Sequence, residues 1–243
     1  MKEAEKMPET LSLFGAQISL YYLFWFLGVV AVLVVGYFTG KHYGFSFAKS
    51  ILYIALAVAI GYALLWGMSL MVGGGKMVGL NYVRIVTVLP LAVWLVTLIF
   101  KDKFGQVADF IAPLLAIFHG VTHIGCIFPG CCHGYPASWG LYSNEVGAVC
   151  FPSQPLEAIS SLLTAVVLLF MMKKNVQTGK LYAWYLIMFG GSRFLWEFLR
   201  DNEKIWFGIS ELALHAFTAF VVGIIVLIVL IVINKRRRAN EKT

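Results

Sequence analysis

Charge is what this sequence has least of. Of 243 residues, 13% are charged and 60% are hydrophobic, with a mean hydropathy of +0.83. A soluble domain carries roughly 25% charged residues, so the deficit excludes an ordinary soluble globular fold. Cysteine is also scarce: there are four, and three of them fall inside GCIFPGCCHGYPASWG at 125–140. No CxxC pair occurs, which argues against thioredoxin-like chemistry, and no spacing matches a zinc finger or ribbon. No linker or low-complexity tract divides the chain, so residues 1–243 are expected to form one integral membrane domain. The N-terminal tail MKEAEKMPETLS is acidic and mixed, not short and basic, and no small-residue cleavage site follows the first apolar run. That run is therefore expected to stay as the first span.

What is present in abundance is apolar sequence. Crossing a hydrocarbon core of about 30 Å takes about 20 helical residues, and seven runs meet or approach that length. They are Ile18–Phe38, Ile51–Val72, Val83–Phe100, Val107–Phe128, Leu156–Met172, Leu181–Phe198 and Leu212–Ile233. The expected fold is all-α and polytopic, since helices satisfy their own backbone groups in lipid. With the N-terminus outside and the C-terminus cytoplasmic, twelve Lys and Arg fall on inner loops and six on outer ones, which the positive-inside rule favours. The net charge of +7, concentrated in the KRRR tail, then reads as a topology and lipid-surface signal and gives no reason to invoke nucleic acid. The two longest polar interruptions, Gly73–Tyr82 and Pro129–Pro155, both fall on the outer side, so chemistry is expected there.

Within the spans, a few residues are too polar for their place. His119, His123 and Cys126 are spaced by four and three, which puts them on one face of the fourth helix. Arg193 and Glu197 are four apart in the sixth, with Arg200 three further on. An unpaired guanidinium in a span costs about 2.5–3.5 kcal/mol, so Arg193 calls for a partner or an anion. An Arg193–Glu197 pair joining helices would satisfy it. A phosphate gripped by the planar guanidinium fork, with Glu197 fixing its rotamer, is the functional reading. Glu157 opens the fifth run as a helix N-terminal carboxylate or as a partner of Arg193 or Arg200. Gly190 and Gly191 would admit another backbone or a lipid headgroup. Tyr21 and Tyr22 stand where an aromatic belt is expected.

The cysteine loop keeps two further readings open. His119, His123, Cys126, Cys131 and His133 supply enough nitrogen and sulfur for a tetrahedral metal. Alternatively the thiols are redox-active, or Cys150 is bridged to Cys131 or Cys132.

Several short segments in a fixed order resemble the prolipoprotein diacylglyceryl transferase family: QVADFIAPL, HIGCIFPGCCHG, FPSQPLEA and GKLYAWYLIMFGGSRFLWEFLRD, with a weaker likeness at SLYYLFWFLG. The resemblance is strongest from Gln106 to Asp201. It implies a seven-span bacterial cytoplasmic-membrane enzyme that needs no metal or organic cofactor. Such an enzyme moves the diacylglyceryl group of phosphatidylglycerol to the lipobox cysteine thiol of a prolipoprotein at the outer membrane face. Carried over by position, Arg193, Glu197 and His123 are the catalytic candidates. Tyr21, Gly125, Gly130, Gly134, Ser153, Gln154, Glu157 and Arg200 are the substrate-binding ones.

The departures from the family pattern are specific. His123 stands where the family has arginine, Cys126 where it has asparagine, Phe151 where it has histidine and Phe189 where it has tyrosine. The third span, entered through MVGLNYVRIV, lacks the family's histidine. His123 is therefore expected to act as base or phosphate contact, with His119 or His133 nearby and Arg84 as a replacement cation. The alternative is a diverged relative that binds an anionic phospholipid and acts on another acceptor, or is non-catalytic.

Overall fold

The structure is a computed structural model and describes residues 7–13, 15–72, 81–205 and 207–240. Most of the Gly73–Tyr82 interruption, with Lys76, lies outside the described residues, as do Lys2, Lys6 and Lys242.

Each apolar run folds as a helix: α1 Leu20–His42, α2 Phe47–Val72, α3 Tyr82–Phe100, α4 Phe104–Cys126, α5 Ser153–Lys173, α6 Lys180–Glu197 and α7 Glu211–Asn240. Six of these seven are long and apolar enough to cross a membrane. The exception is α6, which carries Lys180, Arg193 and Glu197 within eighteen residues. The architecture is that of a multi-pass membrane protein, with large apolar side chains such as Phe26, Phe38, Leu163, Phe170 and Ile225 exposed along the helices.

Helices α2, α4 and α5 begin three or four residues before their apolar runs, with polar residues in their first turns, as Gln106 in α4. Short strands accompany the helices of the expected all-α fold. Two short antiparallel hairpins are present, β1 (Thr10–Leu13) with β2 (Ala16–Ser19), and β3 (Pro136–Ser143) with β4 (Ala148–Cys150). The second occupies the Pro129–Pro155 interruption that reads as a loop in sequence.

The central helix is α4. Its buried face runs from Val107 to Cys126 and carries Asp109, His119 and His123 among Phe110, Leu114 and Ile117. Around it pack α1, α3, α5 and α6. Asp109 explains how α6 is anchored: its carboxylate accepts hydrogen bonds from Gly179 N at 2.6 Å and Tyr182 N at 2.9 Å. These are orphan donors of the α6 N-terminus, far along the chain from the carboxylate that satisfies them. Asp109→Ala is expected to cost about 2 kcal/mol, from the lost cap and the unsatisfied buried donors. A lowered thermal midpoint in detergent checks it; an unchanged midpoint contradicts the anchoring role.

At its other end α6 lies directly on α7. A Cβ on Gly190 would stand 2.6 Å from Phe220 N and 2.7 Å from Ala216 O, and one on Gly191 would meet the Phe220 ring at 3.2 Å. The glycine pair therefore admits the α7 backbone, and it does not open toward a lipid headgroup.

Candidate functional site

The polar residues of α4, α5 and α6 converge at one end of the bundle. His119 and His123, one turn apart, have ring centroids 4.2 Å apart. From α5, Glu157 is fully buried in the second turn of the helix. Its Oε1 accepts from Arg200 Nη1 at 2.5 Å. Its Oε2 lies 3.4 Å from His123 Nε2, 3.6 Å from Arg193 Nε and 3.8 Å from His119 Nε2. Glu157 is thus the hub of the site, and both partners proposed for it from sequence meet it there.

Arg193 and Glu197 form the expected i,i+4 ion pair, with Nη1 against Oε2. Glu197 is fixed in turn: its Oε1 accepts from Asn202 Nδ2 and Ser210 Oγ, both at 2.5 Å. Arg200 does not share the α6 face as its spacing suggested. The helix ends at Glu197, and Arg200 lies beyond it in an isolated bridge to Gly134. From there its side chain turns back to Glu157. Burial opposes its charge, but the Glu157 carboxylate and the Cys132 sulfur hold its pKa above the usual arginine value.

Two buried arginines thus face two buried carboxylates with two histidines beside them, and polar capacity remains. His123 Nδ1, Gln154 Oε1, Glu157 Oε2 and Arg200 Nε are buried and take part in no hydrogen bond. Orphaned polar atoms in one place are costly in a folded chain, and together they mark a site shaped for a polar ligand.

The loop after α4 is held over this cluster by the first turn of α5. Ser153 Oγ donates to Cys132 O at 2.6 Å and Gln154 Nε2 to Cys131 O at 2.9 Å. Between these anchors Cys132 adopts φ +60, a left-handed conformation unusual for a side-chain-bearing residue. All four cysteines are free thiols, so the bridge considered from Cys150 does not form. The thiols of Cys126 and Cys131 donate toward Cys132, and Arg200 and His123 add positive charge, which together lower the pKa of Cys132 well below an ordinary thiol.

The remaining sequence candidates have defined places. Gly125 packs on α1: a Cβ there would sit 2.8 Å from Phe24 Cβ and 3.2 Å from Tyr21 O, which seats Tyr21 beside the end of α4. Gly130, at φ +75, receives Ser143 Oγ on its carbonyl at 2.8 Å. Gly134 is as closely approached as Gly130. A Cβ would meet Leu199 O at 2.5 Å and Phe151 Cβ at 2.8 Å, so the segment carrying Arg200 rests on it. Gly134→Ala is expected to displace that segment, costing about 1–3 kcal/mol and lowering activity in step with Arg200→Ala. Normal activity with unchanged stability would contradict that placement.

Two expectations are corrected. Arg84 does not join the cluster; it makes a bidentate pair with Glu211 of α7, at 2.9 Å and 2.7 Å. The metal set read from sequence does not assemble as one group either. The ligand atoms that fall together are those of His123, Cys126 and Cys132, and separately those of His119, His123 and Glu157. His133 turns its Nδ1 to Gly134 O at 2.9 Å, and Cys131 Sγ faces Cys126 O.

A family model described as prolipoprotein diacylglyceryl transferase matches residues 8–233, nearly the whole chain and all of the site just described. The chain belongs to the prolipoprotein diacylglyceryl transferase family. Among curated members, it is 27% identical over 151 residues to phosphatidylglycerol–prolipoprotein diacylglyceryl transferase 2 of Clostridium perfringens, covering 58% of this chain and 59% of that one. A Clostridium tetani transferase is 29% identical over 106 residues, covering 41% and 43%. An Actinobacillus pleuropneumoniae transferase is 33% identical over 113 residues, covering 42% and 40%. The matched stretch thus spans from two fifths to three fifths of these relatives' length. Within the family frame, Phe189 packs edge-on to His119 with centroids 5.1 Å apart, and no hydroxyl reaches the histidine from that position.

Several residues of the site were not singled out in sequence. Ser161 Oγ lies 2.7 Å from His119 Nδ1 and fixes that ring. Tyr82 packs at a tilt against His119, with ring centroids 4.4 Å apart, and donates its hydroxyl to Leu115 O at 2.7 Å. Ser161 had a signal, since it follows Glu157 by four on the same α5 face. Asn202 and Ser210 had none, because they reach Glu197 through non-helical chain.

Proposed function

We propose that this protein transfers the diacylglyceryl group of phosphatidylglycerol to the lipobox cysteine thiol of a prolipoprotein. The reaction takes place at the outer face of a bacterial cytoplasmic membrane, with seven spans, an external N-terminus and all of residues 1–243 in one domain. The observation that carries the reading is the convergence of Arg193, Arg200, His119 and His123 on Glu157 inside a chain of this family.

In this reading the two arginines serve the phosphate. Glu157 and Glu197 hold both guanidinium groups in place before substrate arrives, so little reorganisation is needed as charge develops on the leaving oxygen. The thiol sulfur forms a bond to the glycerol carbon while the carbon–oxygen bond to phosphate breaks. The electron pair leaves with the phosphate as glycerol phosphate, and the thiol gives up its proton. His123, with its buried Nδ1 unpartnered, is the group that faces the acceptor thiol and takes its proton. Ser153, Gln154 and the loop glycines act by holding the Cys131–Gly134 segment, and Tyr21 lines the entry beside Gly125.

Complementation tests this reading. Expression of the wild type in a bacterium depleted of its own transferase is expected to restore growth and lipoprotein lipidation. Failure despite correct membrane insertion would favour an acceptor other than the lipobox cysteine.

A further inference from the structure

The cysteines are the part of the site that the transferase reading leaves unused. Ligand atoms of His123, Cys126 and Cys132 lie within 4.8 Å of one another at the junction of α4 and its following loop. Tetrahedral zinc with bonds near 2.3 Å to sulfur needs sulfur–sulfur separations of about 3.8 Å, so closure takes roughly an ångström of side-chain adjustment.

Three features outside that distance support a metal. First, His123 Nδ1 is buried and has no hydrogen-bond partner, while Nε2 of the same ring faces the Glu157 carboxylate. A ring nitrogen bound to metal, with the other nitrogen turned to a carboxylate, is the usual arrangement of a histidine ligand. Second, Cys132 is held in its left-handed conformation by two buried α5 side chains acting on adjacent carbonyls, so its direction is fixed in advance. Third, the donors are soft sulfur and imidazole, which select zinc over magnesium or calcium. The second grouping, His119–His123–Glu157, is a poorer candidate because Glu157 is already held by Arg200 and Arg193.

We propose that Cys126, Cys132 and His123 bind a zinc ion whose fourth coordination position is open to the acceptor thiol. Three protein ligands and one open position are the pattern of catalytic zinc. The role of the open position rests on the transferase reading. An entering thiol would bind as thiolate and pass its proton to water on coordination, so metal binding replaces proton transfer to Nδ1 of His123, which is then a ligand and not a base. The bound sulfur then attacks the glycerol carbon. The carbon–oxygen bond breaks toward the arginines, and the neutral thioether leaves.

The test uses the full chain purified in detergent without a histidine tag and loaded with zinc or cobalt. About one zinc per chain is expected. Cys126→Ser, Cys132→Ser and His123→Ala should each weaken zinc binding at least about a hundredfold, while Cys150→Ser keeps it. Adding a cysteine-containing lipobox peptide to the cobalt form should alter its thiolate-to-metal absorption, and a serine peptide should not. Zinc well below half an equivalent, or zinc indifferent to all three variants, overturns the site. Loss of zinc in Cys131→Ser with no response to the peptide overturns the open position and makes the site a closed structural one. Transfer at full rate by metal-free protein sinks the inference and leaves the transferase reading intact. Zinc binding with a peptide response but no transfer sinks that reading and leaves the site.

Discussion

Arg193→Ala is expected to reduce diacylglyceryl transfer by about a hundredfold to a thousandfold, the usual cost of removing one preorganised donor from a developing negative charge. The side chain is buried between Glu157 and Glu197, so its loss also leaves Glu197 without its cation and Glu157 with Arg200 alone. Leaving a buried charge unpaired costs about 3–5 kcal/mol, and a variant that fails to fold would lose activity for that reason alone. Arg193→Lys separates the two effects. It keeps one positive charge for the carboxylates but lacks the planar fork that grips two phosphate oxygens. The lysine variant should therefore insert and unfold much like the wild type, yet transfer slowly, with the loss in kcat outweighing any change in KM. Wild-type kcat in the lysine variant would remove Arg193 from the phosphate site and leave it as a structural ion pair.

Glu157 carries the largest expected effect on stability. One oxygen binds Arg200 at 2.5 Å, and the other is approached by Arg193, His119 and His123. Glu157→Ala strands the Arg200 guanidinium in a buried site and leaves Arg193 with Glu197 alone, whose other oxygen is already committed to Asn202 and Ser210. A loss of about 3–5 kcal/mol follows, expected as a thermal midpoint in detergent far below that of the wild type and poor recovery from the membrane. Glu157→Gln retains an acceptor for Arg200 but not the charge, and it should fall between the two. If Glu157→Ala unfolds at the wild-type temperature, the carboxylate is not the hub of this cluster.

How much of this was legible in the sequence depended on whether contacts lay within one helix. The seven runs are visible because hydropathy is a local property, and each folds as a helix. The faces His119–His123–Cys126 and Arg193–Glu197 are visible because helical spacing alone brings them together. Arg200 shows where that reasoning fails. Counting on from Arg193 places it on the same helix, but α6 stops at Glu197 and a bridge to Gly134 supplies its position instead. Glu157 could be assigned to a cap or to either arginine, and only the packing of α5 against α4 and α6 decides that it serves both. The cysteine loop failed in a different way. A left-handed Cys132 brings its sulfur together with those of Cys126 and Cys131 and near His123, while His133 turns to a backbone carbonyl. No spacing rule anticipates that arrangement, because it is set by two hydrogen bonds from Ser153 and Gln154.

The glycines make the same point about signature positions. Gly125, Gly130 and Gly134, carried over by resemblance, each lie where a methyl group would meet neighbouring chain. Their role in the proposed reaction is to let α1, the hairpin and the Arg200 segment close around the polar cluster.

Purified protein reconstituted with phosphatidylglycerol and a lipobox-cysteine peptide is the most direct test of the proposed activity. Mass spectrometry of the peptide should show the gain of one diacylglyceryl group in thioether linkage, matched by an equal amount of released glycerol phosphate, and neither product should form with Arg193→Lys at a comparable rate. Folded wild-type protein that leaves the peptide mass unchanged would contradict the account.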